Sequence, residues 1–585
     1  MSYSLSPFYH TYNAIAAQGA FEGAPESLRA ALAHARTKLS GMTIGSGWLI
    51  GLLALYFGFA LNFAFWRFIV DRLEITNVDM LVFAVSLPIL IFIVFAGLFS
   101  VLLVRFFGKP TVVFLLLVSS AANFAMLRFG IFIDSDMVRN VFETDAREAG
   151  ELMTATGLAW IALTGVLPAI AFAFVKVRYR SFKKEAAARF TFFIVGALTL
   201  GGFAVSSTKE YASFFRQHNA ARKLVNTFNI AQATFAYFRE RALARRDFAW
   251  LDRNAKFEPR SKQALNARSE ARKRVMIFIV GETARAKSFS LGGYERETNP
   301  LLSRRGVVYF KDMRSCGTAT AVSLPCMFSN KDRREFKVDD ARFTQNLLDT
   351  LKIAGYDVFW RENNSGCKGV CKRVPTEKTA PPTENGQKYR FDEALLEGLE
   401  ARLKEPEKNT AIFLHTIGSH GPTYYRRYPE RFRRFTPTCD TADLQNCTRK
   451  AIRNTYDNTI LYTDTVVASA IDIARKFPEL ETTVVYVSDH GESLGENRVY
   501  LHGLPYAVAP NEQTQIPLVV WMSETLKKNE RISETCVRKK AEVESFSHDN
   551  IFHSVLGLLS VRTRLYRPEK DIFSGCRPKS FPGTR

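Results

Sequence analysis

Several acidic and imidazole side chains stand where they could converge on a metal ion. Glu282 lies in "GETAR", His420 in "GSHGP", Asp489 and His490 in "SDHGES", and His502 in "YLHGLP". Hard carboxylates together with imidazole suit a divalent cation, zinc in particular. A further segment, "RSCGTATAVSLPCMFS" (314–329), holds two threonines between Cys316 and Cys326. A threonine hydroxyl is a poor nucleophile at neutral pH. A cation at its oxygen lowers its pKa and stabilises the alkoxide. Thr320 is the candidate nucleophile and Thr318 the alternative. A helix is expected to start near Thr320, and its first amides would favour an incoming phosphate.

Taken singly, each of these residues has an ordinary structural use, because acids, histidines and threonines after strands commonly form caps and turns. Their placement argues for more. "VMIFIV" (275–280), "YDVFW" (356–360), "AIFLHTI" (411–417), "TTVVYVS" (482–488) and "IPLVVWM" (516–522) are short apolar runs rich in β-branched residues, with helical stretches such as 344–354 and 454–476 between them. That alternation predicts an α/β domain with a mostly parallel sheet covered by helices on both faces. In such sheets ligands bind beyond the C-terminal strand ends. Glu282, His420 and Asp489–His490 each follow a predicted strand. His548 and His553, in "SHDNIFHSVLGLL", read as part of a terminal amphipathic helix and receive no role.

The chain has 585 residues and a formal net charge of +22, most of it after residue 207. Such a charge favours an anionic partner. Apolar stretches long enough to cross a bilayer lie near 46–66, 80–104, 111–127, 156–175 and 190–207. They favour phospholipid and phosphorylated glycolipid over nucleic acid, and no nucleic-acid partner is expected. The loops with Arg105 and Lys109, and with Lys176, Arg178, Arg180, Lys183, Lys184 and Arg189, are basic, whereas the loop holding Asp134, Asp136, Glu143, Asp145, Glu148 and Glu151 is acidic. The positive-inside rule then makes the basic loops cytoplasmic and puts the C-terminal domain outside the cytoplasm. No cleavable signal peptide is expected, and the first span would act as an uncleaved anchor.

All eight cysteines lie beyond residue 300, and most stand in close pairs. The expected pairing is Cys316 with Cys326, Cys367 with Cys371, Cys439 with Cys447, and Cys536 with Cys576. Four disulfides imply an oxidising compartment. The expected organisation is a cytoplasmic extension (1–42), a five-span membrane domain (43–207), bridging helices (208–270) and a periplasmic catalytic domain (271–585).

"GETAR", "SCGTATAVSLPCMFS", "NNSGCKGVC", "HTIGSHGP", "YDNTILYTD", "SDHGESLGE" and "YLHGLPYAVAP" occur in this order. Together they resemble the lipid A phosphoethanolamine transferases, which include the mobile colistin-resistance enzymes and belong to the alkaline phosphatase/sulfatase superfamily. The resemblance covers about 45–575 and leaves the first 42 residues unmatched. It implies that Thr320 carries phosphoethanolamine and that Glu282, Asp489 and His490 hold zinc together with Thr320. One zinc would be firmly bound, with a second as an option. His420 and His502 would contact the transferred phosphate or that second ion. Ser365 and Lys368 would bind substrate. Asn140, Thr144 and Glu148, at i, i+4 and i+8, would form one helical face at the donor's head group, with Glu148 pairing its ammonium and Glu151 lying off that face. The implied reaction moves phosphoethanolamine from phosphatidylethanolamine to a lipid A phosphate through a phosphothreonine, in a membrane-embedded monomer at the bacterial inner membrane. Another head group or acceptor (phosphoglycerol, core sugar), or a non-catalytic envelope sensor, are the alternatives.

Overall fold

The computed structural model describes residues 41–243 except 76, 106 and 145, then 247–258, 273–379 and 390–577. The expected extension lies almost wholly outside the described residues, as does much of the later part of 208–270. The chain divides into two compact units. One comprises the residues up to 124 with 157–227, and the other comprises 125–156 with everything from 228 onward.

In the first unit the apolar runs become helices long enough to cross a membrane. Counting residues 125–129 and 155–156, which belong to the second unit, the five spans are Ser46–Val70, Val78–Leu102, Gly108–Phe129, Ala155–Phe174 and Phe182–Ser206. The last starts earlier than its apolar run, because Lys183, Lys184, Glu185 and Arg189 form its first turns. Arg189 pairs with Glu185 at 2.9 Å and donates to the Leu103 carbonyl at 3.1 Å, satisfying an orphan carbonyl beyond the second span. Asn226 is fully buried and donates to the Leu61 and Ser119 carbonyls.

The second unit is built on a seven-stranded sheet. Its strands are β1 (Arg274–Gly281), β2 (Val308–Phe310), β3 (Asp357–Glu362), β4 (Thr376–Lys378), β5 (Thr410–His415), β6 (Glu481–Ser488) and β7 (Leu518–Met522), in the order β2-β7-β6-β1-β5-β3-β4. β1, β5 and β6 are buried at every position, which is why they read as unbroken apolar runs. β6, β1, β5, β3 and β4 run parallel. "IPLVVWM" departs from the expected parallel arrangement, since β7 pairs antiparallel with β6 and β2 antiparallel with β7. A strand buried on both faces has the same composition in either direction, so its sense is set by the connection and not by its residues.

Residues 208–270 differ from an all-helical bridge. Thr208–Gln217 and Asn226–Leu243 are helices, but Lys256–Phe257 pairs antiparallel with Val561–Arg562 beside the buried Ala255. Two residues are too few to carry a strand signal.

The cysteines pair as expected, and all of them are bonded. Cys316 joins Cys326, Cys367 joins Cys371, Cys439 joins Cys447, and Cys536 joins Cys576. Their work is structural. Cys367–Cys371 closes the turn that carries Lys368, and Cys439–Cys447 closes the loop just before the helix Arg449–Arg475. Cys536–Cys576 ties the helix Glu534–Val543 to the last described turn, 40 residues on.

Two short helices, α1 (Ser135–Glu143) and α2 (Ala146–Leu152), belong to the second unit. They correct the single face expected through Asn140, Thr144 and Glu148. Thr144 has extended backbone (φ −67°, ψ 132°) and ends α1. Its backbone amide and its hydroxyl both donate to the Asn140 carbonyl, at 2.8 and 2.6 Å, and its extended ψ turns the chain out of the helix. A continuous i, i+4, i+8 face therefore does not exist. The Glu148 side chain lies outside the described set.

Candidate active site

Glu282 follows β1 and is 1% exposed. The turn around it is tightly packed: a Cβ at Gly418 (φ +48°) would meet the Glu282 carbonyl at 2.6 Å, so only glycine fits there. Asp489 and His490 follow β6, whose last residue, Ser488, is in register with Gly281 of β1. Parallel pairing therefore delivers Glu282 and Asp489–His490 to one edge. His420 follows β5, which pairs with β1 on its other side. α3 (Thr320–Met327) begins at Thr320. The Thr320 hydroxyl lies 3.1 and 3.2 Å from the two Glu282 oxygens and 3.3 Å from His490 Nε2. Thr318 is committed elsewhere, its hydroxyl donating to the Leu504 carbonyl at 2.6 Å.

One ligand atom each from Glu282, Asp489 and His490 can be chosen so that all three lie within 4.8 Å of one another, and all three residues are buried. His490 Nδ1 is 2.9 Å from the Gly491 carbonyl, which can only accept, so the proton sits on Nδ1 and Nε2 offers its lone pair to the site. Burial pushes the His490 imidazole down to about 4, so it does not neutralise the two carboxylates. Asp489 Oδ1 accepts from the His490 and Thr283 amides at 2.7 and 3.2 Å, while the buried Oδ2 has no hydrogen-bond partner. Two buried carboxylates, a neutral imidazole lone pair and the unpartnered Asp489 Oδ2 make a donor set that suits a divalent cation. Cys316 and Cys326 also approach a carboxylate, that of Asp549, but their sulfurs are bonded to each other and so do not serve as thiolate ligands.

His502 and His420 flank this centre. The His502 ring lies 4.4 Å from that of His490 and 5.5 Å from that of His420. His502 Nδ1 is 2.8 Å from Glu492 Oε2, and Glu492 also accepts from the Tyr424 hydroxyl at 2.5 Å. Burial raises the Glu492 carboxyl to about 8. Ser365 Oγ accepts from Lys368 Nζ at 3.2 Å, and Lys368 donates as well to the Glu143 carbonyl at the end of α1. Asn140 stands near Gly503 of the His502 loop, with its Nδ2 3.8 Å from a Cβ built there.

Several residues given no role from the sequence support the site. Asn364 donates to Glu282 Oε2 at 2.6 Å, and its backbone amide donates to Glu362, which also bonds His415. Burial works to raise the Glu362 carboxyl, but His415 holds it below the usual range. His548, expected only to pack in a terminal helix, is fully buried. Its Nδ1 accepts from the Cys316 amide at 3.1 Å and its Nε2 donates to the Ser488 carbonyl at 3.0 Å, tying the Thr320 loop to the strand before Asp489. Glu151, half-buried on α2, accepts from Thr423 at 2.8 Å and ion-pairs with Arg427, which donates to the His420 carbonyl at 2.7 Å. Asn364 is the second residue of "NNSGCKGVC" and His415 the first of "HTIGSHGP", so both were within reach of pattern reading.

This fold and edge-of-sheet centre are those of an alkaline phosphatase/sulfatase-type enzyme. A family model described as Sulfatase matches residues 274–561, and one described as Phosphoethanolamine transferase EptA/EptB matches 91–242. Phosphoethanolamine transferase EptA of Escherichia coli K12 is 39% identical over 537 residues, covering 91% of this chain and 96% of the relative. Phosphatidylethanolamine transferase Mcr-1 of Escherichia coli is 35% identical over 476 residues, covering 78% and 84%. The integral membrane lipooligosaccharide phosphoethanolamine transferase A (EptA) of Neisseria meningitidis superposes with a TM-score of 0.86 at 38% identity, covering 92% of this chain and 99% of that one. The chain belongs to the phosphoethanolamine transferase family. It is a multi-pass inner-membrane protein with a periplasmic catalytic domain.

Proposed function

We propose that the protein transfers phosphoethanolamine from phosphatidylethanolamine to a phosphate of lipid A, with Thr320 as the relay. The observation that carries this reading is the placement of the Thr320 hydroxyl 3.1–3.3 Å from Glu282 and His490, beside the orphaned Asp489 oxygen. Relatives named as a phosphoethanolamine transferase and a phosphatidylethanolamine transferase, at 39% and 35% identity, support it. Glu282, Asp489 and His490, with Thr320, would hold Zn2+, whose charge would stabilise the Thr320 alkoxide and the phosphoryl oxygens. A second ion beside His420 and His502 is compatible with their adjacency.

In the first step a bond forms between Thr320 Oγ1 and the donor phosphorus. The bond to the glycerol oxygen breaks, and diacylglycerol leaves after taking a proton. In the second step an acceptor phosphate oxygen bonds that phosphorus, the bond to Thr320 breaks, and the threonine oxygen regains a proton. Asn364 holds Glu282 in place, Glu492 sets which His502 nitrogen faces the site, and His548 fixes the loop that carries Thr320. Ser365, Lys368, Asn140, Thr144 and Glu148 remain the proposed substrate-binding residues.

Mass spectrometry of lipid A from cells carrying the protein tests this, with a gain of one phosphoethanolamine as the expected result. Thr320→Ala should abolish the gain, and intact-protein mass should reveal phosphoethanolamine on Thr320 of the native chain. Activity kept by Thr320→Ala and lost in Thr318→Ala would overturn the assignment.

A further inference from the structure

A cavity of about 790 Å³ opens beside the nucleophile loop, wholly within the second unit, and is bounded in part by residues 316–319 and Gly503. Five cations (Arg139, Arg239, Arg333, Arg334, Lys337) and four carboxylates (Asp136, Glu240, Asp339, Asp340) line it among the described residues. Arg139 is taken up by Asp339, at 2.7 and 2.9 Å, and by Glu240 at 3.5 Å. Arg333, Arg334 and Lys337 also line the cavity, and none of them makes an ion pair among the described residues. Arg333 is held in place by other means. Its backbone amide donates to Asp549 at 2.8 Å, and its guanidinium lies over the Tyr506 ring, 3.5 Å from the centroid. Tyr506 in turn donates its hydroxyl to the Ser315 carbonyl at 3.0 Å, one residue from the disulfide that closes the Thr320 loop. A guanidinium stacked on an aromatic face keeps its N–H edge for in-plane bonds to phosphate.

Two different substrates must reach the same threonine. The donor head group is a zwitterion with one negative phosphodiester. The acceptor carries phosphate monoesters, each with up to two negative charges. Asp136 and Asp340 also line the cavity, but Arg333, Arg334 and Lys337 make no ion pair among the described residues, and cations left unpaired favour the more highly charged phosphate monoester of the acceptor. We propose that this cavity seats the phosphorylated acceptor, with Arg333 as its fixed phosphate ligand and Arg334 and Lys337 adding to the field. The proposal rests on the transfer reading above and adds the place of its second substrate. In that step the seated phosphate oxygen bonds the phosphorus on Thr320, the P–Oγ1 bond breaks, and Oγ1 takes a proton from water.

The test uses full-length protein in detergent and separates the two halves of the reaction. Release of diacylglycerol from a fluorescent phosphatidylethanolamine without acceptor reports the first half. Transfer to purified lipid A, and direct lipid A binding, report the second. Arg333→Ala should raise the lipid A KM and Kd by at least about tenfold, as loss of one partner of a close charge pair does, while the donor burst persists. Arg333→Lys should recover part of the loss. Arg562→Ala, an exposed arginine outside the cavity, controls for general surface charge. The exposed Arg334→Ala and Lys337→Ala variants, and their double, carry the test should Arg333→Ala unfold. Unchanged lipid A binding in all of these variants overturns the proposal. So does a loss of donor burst equal to the loss of transfer, which would give the cavity to the donor. A wild-type protein with no burst that still binds lipid A through Arg333 would instead overturn the transfer reading and leave the cavity's ligand standing.

Discussion

Glu151→Gln removes one charge from a place where three groups depend on it. Glu151 and Arg427 have side chains 9% and 6% exposed. The Glu151 carboxylate takes hydrogen bonds from Arg427 and from the Thr423 hydroxyl, and Arg427 in turn holds the His420 carbonyl at 2.7 Å. Burial works to raise the Glu151 carboxyl, but the Arg427 charge and these hydrogen bonds hold it below the usual range. Removing one partner of a buried ion pair costs roughly 3–5 kcal/mol. Glutamine keeps an acceptor oxygen, so the expected loss is about 2–3 kcal/mol. For a unit of this size that corresponds to a fall in Tm of about 2–4 °C. The sign in pH follows from the lowered carboxyl. The stabilisation is complete above the unfolded carboxylate range, near pH ~4.5, and is lost as pH falls through the lower folded value. The difference between wild type and variant should therefore shrink in acid. The assay is thermal unfolding of the full-length protein by intrinsic fluorescence, with turnover measured alongside, since a loosened His420 should lower kcat. A Tm within about 1 °C of wild type with unchanged turnover, the behaviour of a solvated surface charge costing under about 0.5 kcal/mol, would refute the reasoning. A double-mutant cycle with Arg427→Ala should give a coupling of at least about 1 kcal/mol.

Asp489→Asn should lower the zinc retained by purified protein, read by elemental mass spectrometry, because it weakens the oxygen that has no other partner. Arg274→Met should destabilise the chain by roughly 3–5 kcal/mol in chemical denaturation, since it strands Glu481 and Glu530, whose carboxylates lie against a guanidinium 1% exposed. Asp464 gives a pH effect of opposite sign to Glu151: burial pushes its carboxyl up to about 6, against donation from the Leu301 and Leu302 amides. Its contribution is complete below the unfolded value near pH ~4 and is lost as pH rises through about 6, by at most ~3 kcal/mol; Asp464→Asn should flatten that stretch of the stability profile.

Much of the architecture was written locally in the chain. Five apolar stretches became the five helices able to cross a membrane, and the basic loops indicated their sense. β1, β5 and β6 were legible because burial on both faces demands an unbroken apolar run, and the polar residue after each run marked the edge where the site forms. Cys316, Cys367 and Cys439 each paired with the next cysteine along the chain because short loops close at little entropic cost, and Cys536 and Cys576 were then left for each other. By contrast, β2 and β4 are three residues each, too short for a period to show, and the antiparallel sense of β7 leaves no mark on its composition.

The helix through Asn140 shows where pattern reading fails even at short range. Spacing of four and eight residues assumes a continuous helix, and the extended backbone at Thr144 ends it there. The supporting residues of the site failed for a different reason. His548 bonds Cys316 across 232 residues of sequence, Glu151 meets Arg427 across 276, and Asn364 meets Glu282 across 82. Local burial and periodicity were enough to mark the strands and membrane helices, and to show which acids and histidines stood at strand ends. Which polar groups answer one another was left to the packed fold, because a buried donor must be satisfied by whatever acceptor the packing brings within about 3 Å, wherever in the chain that acceptor lies.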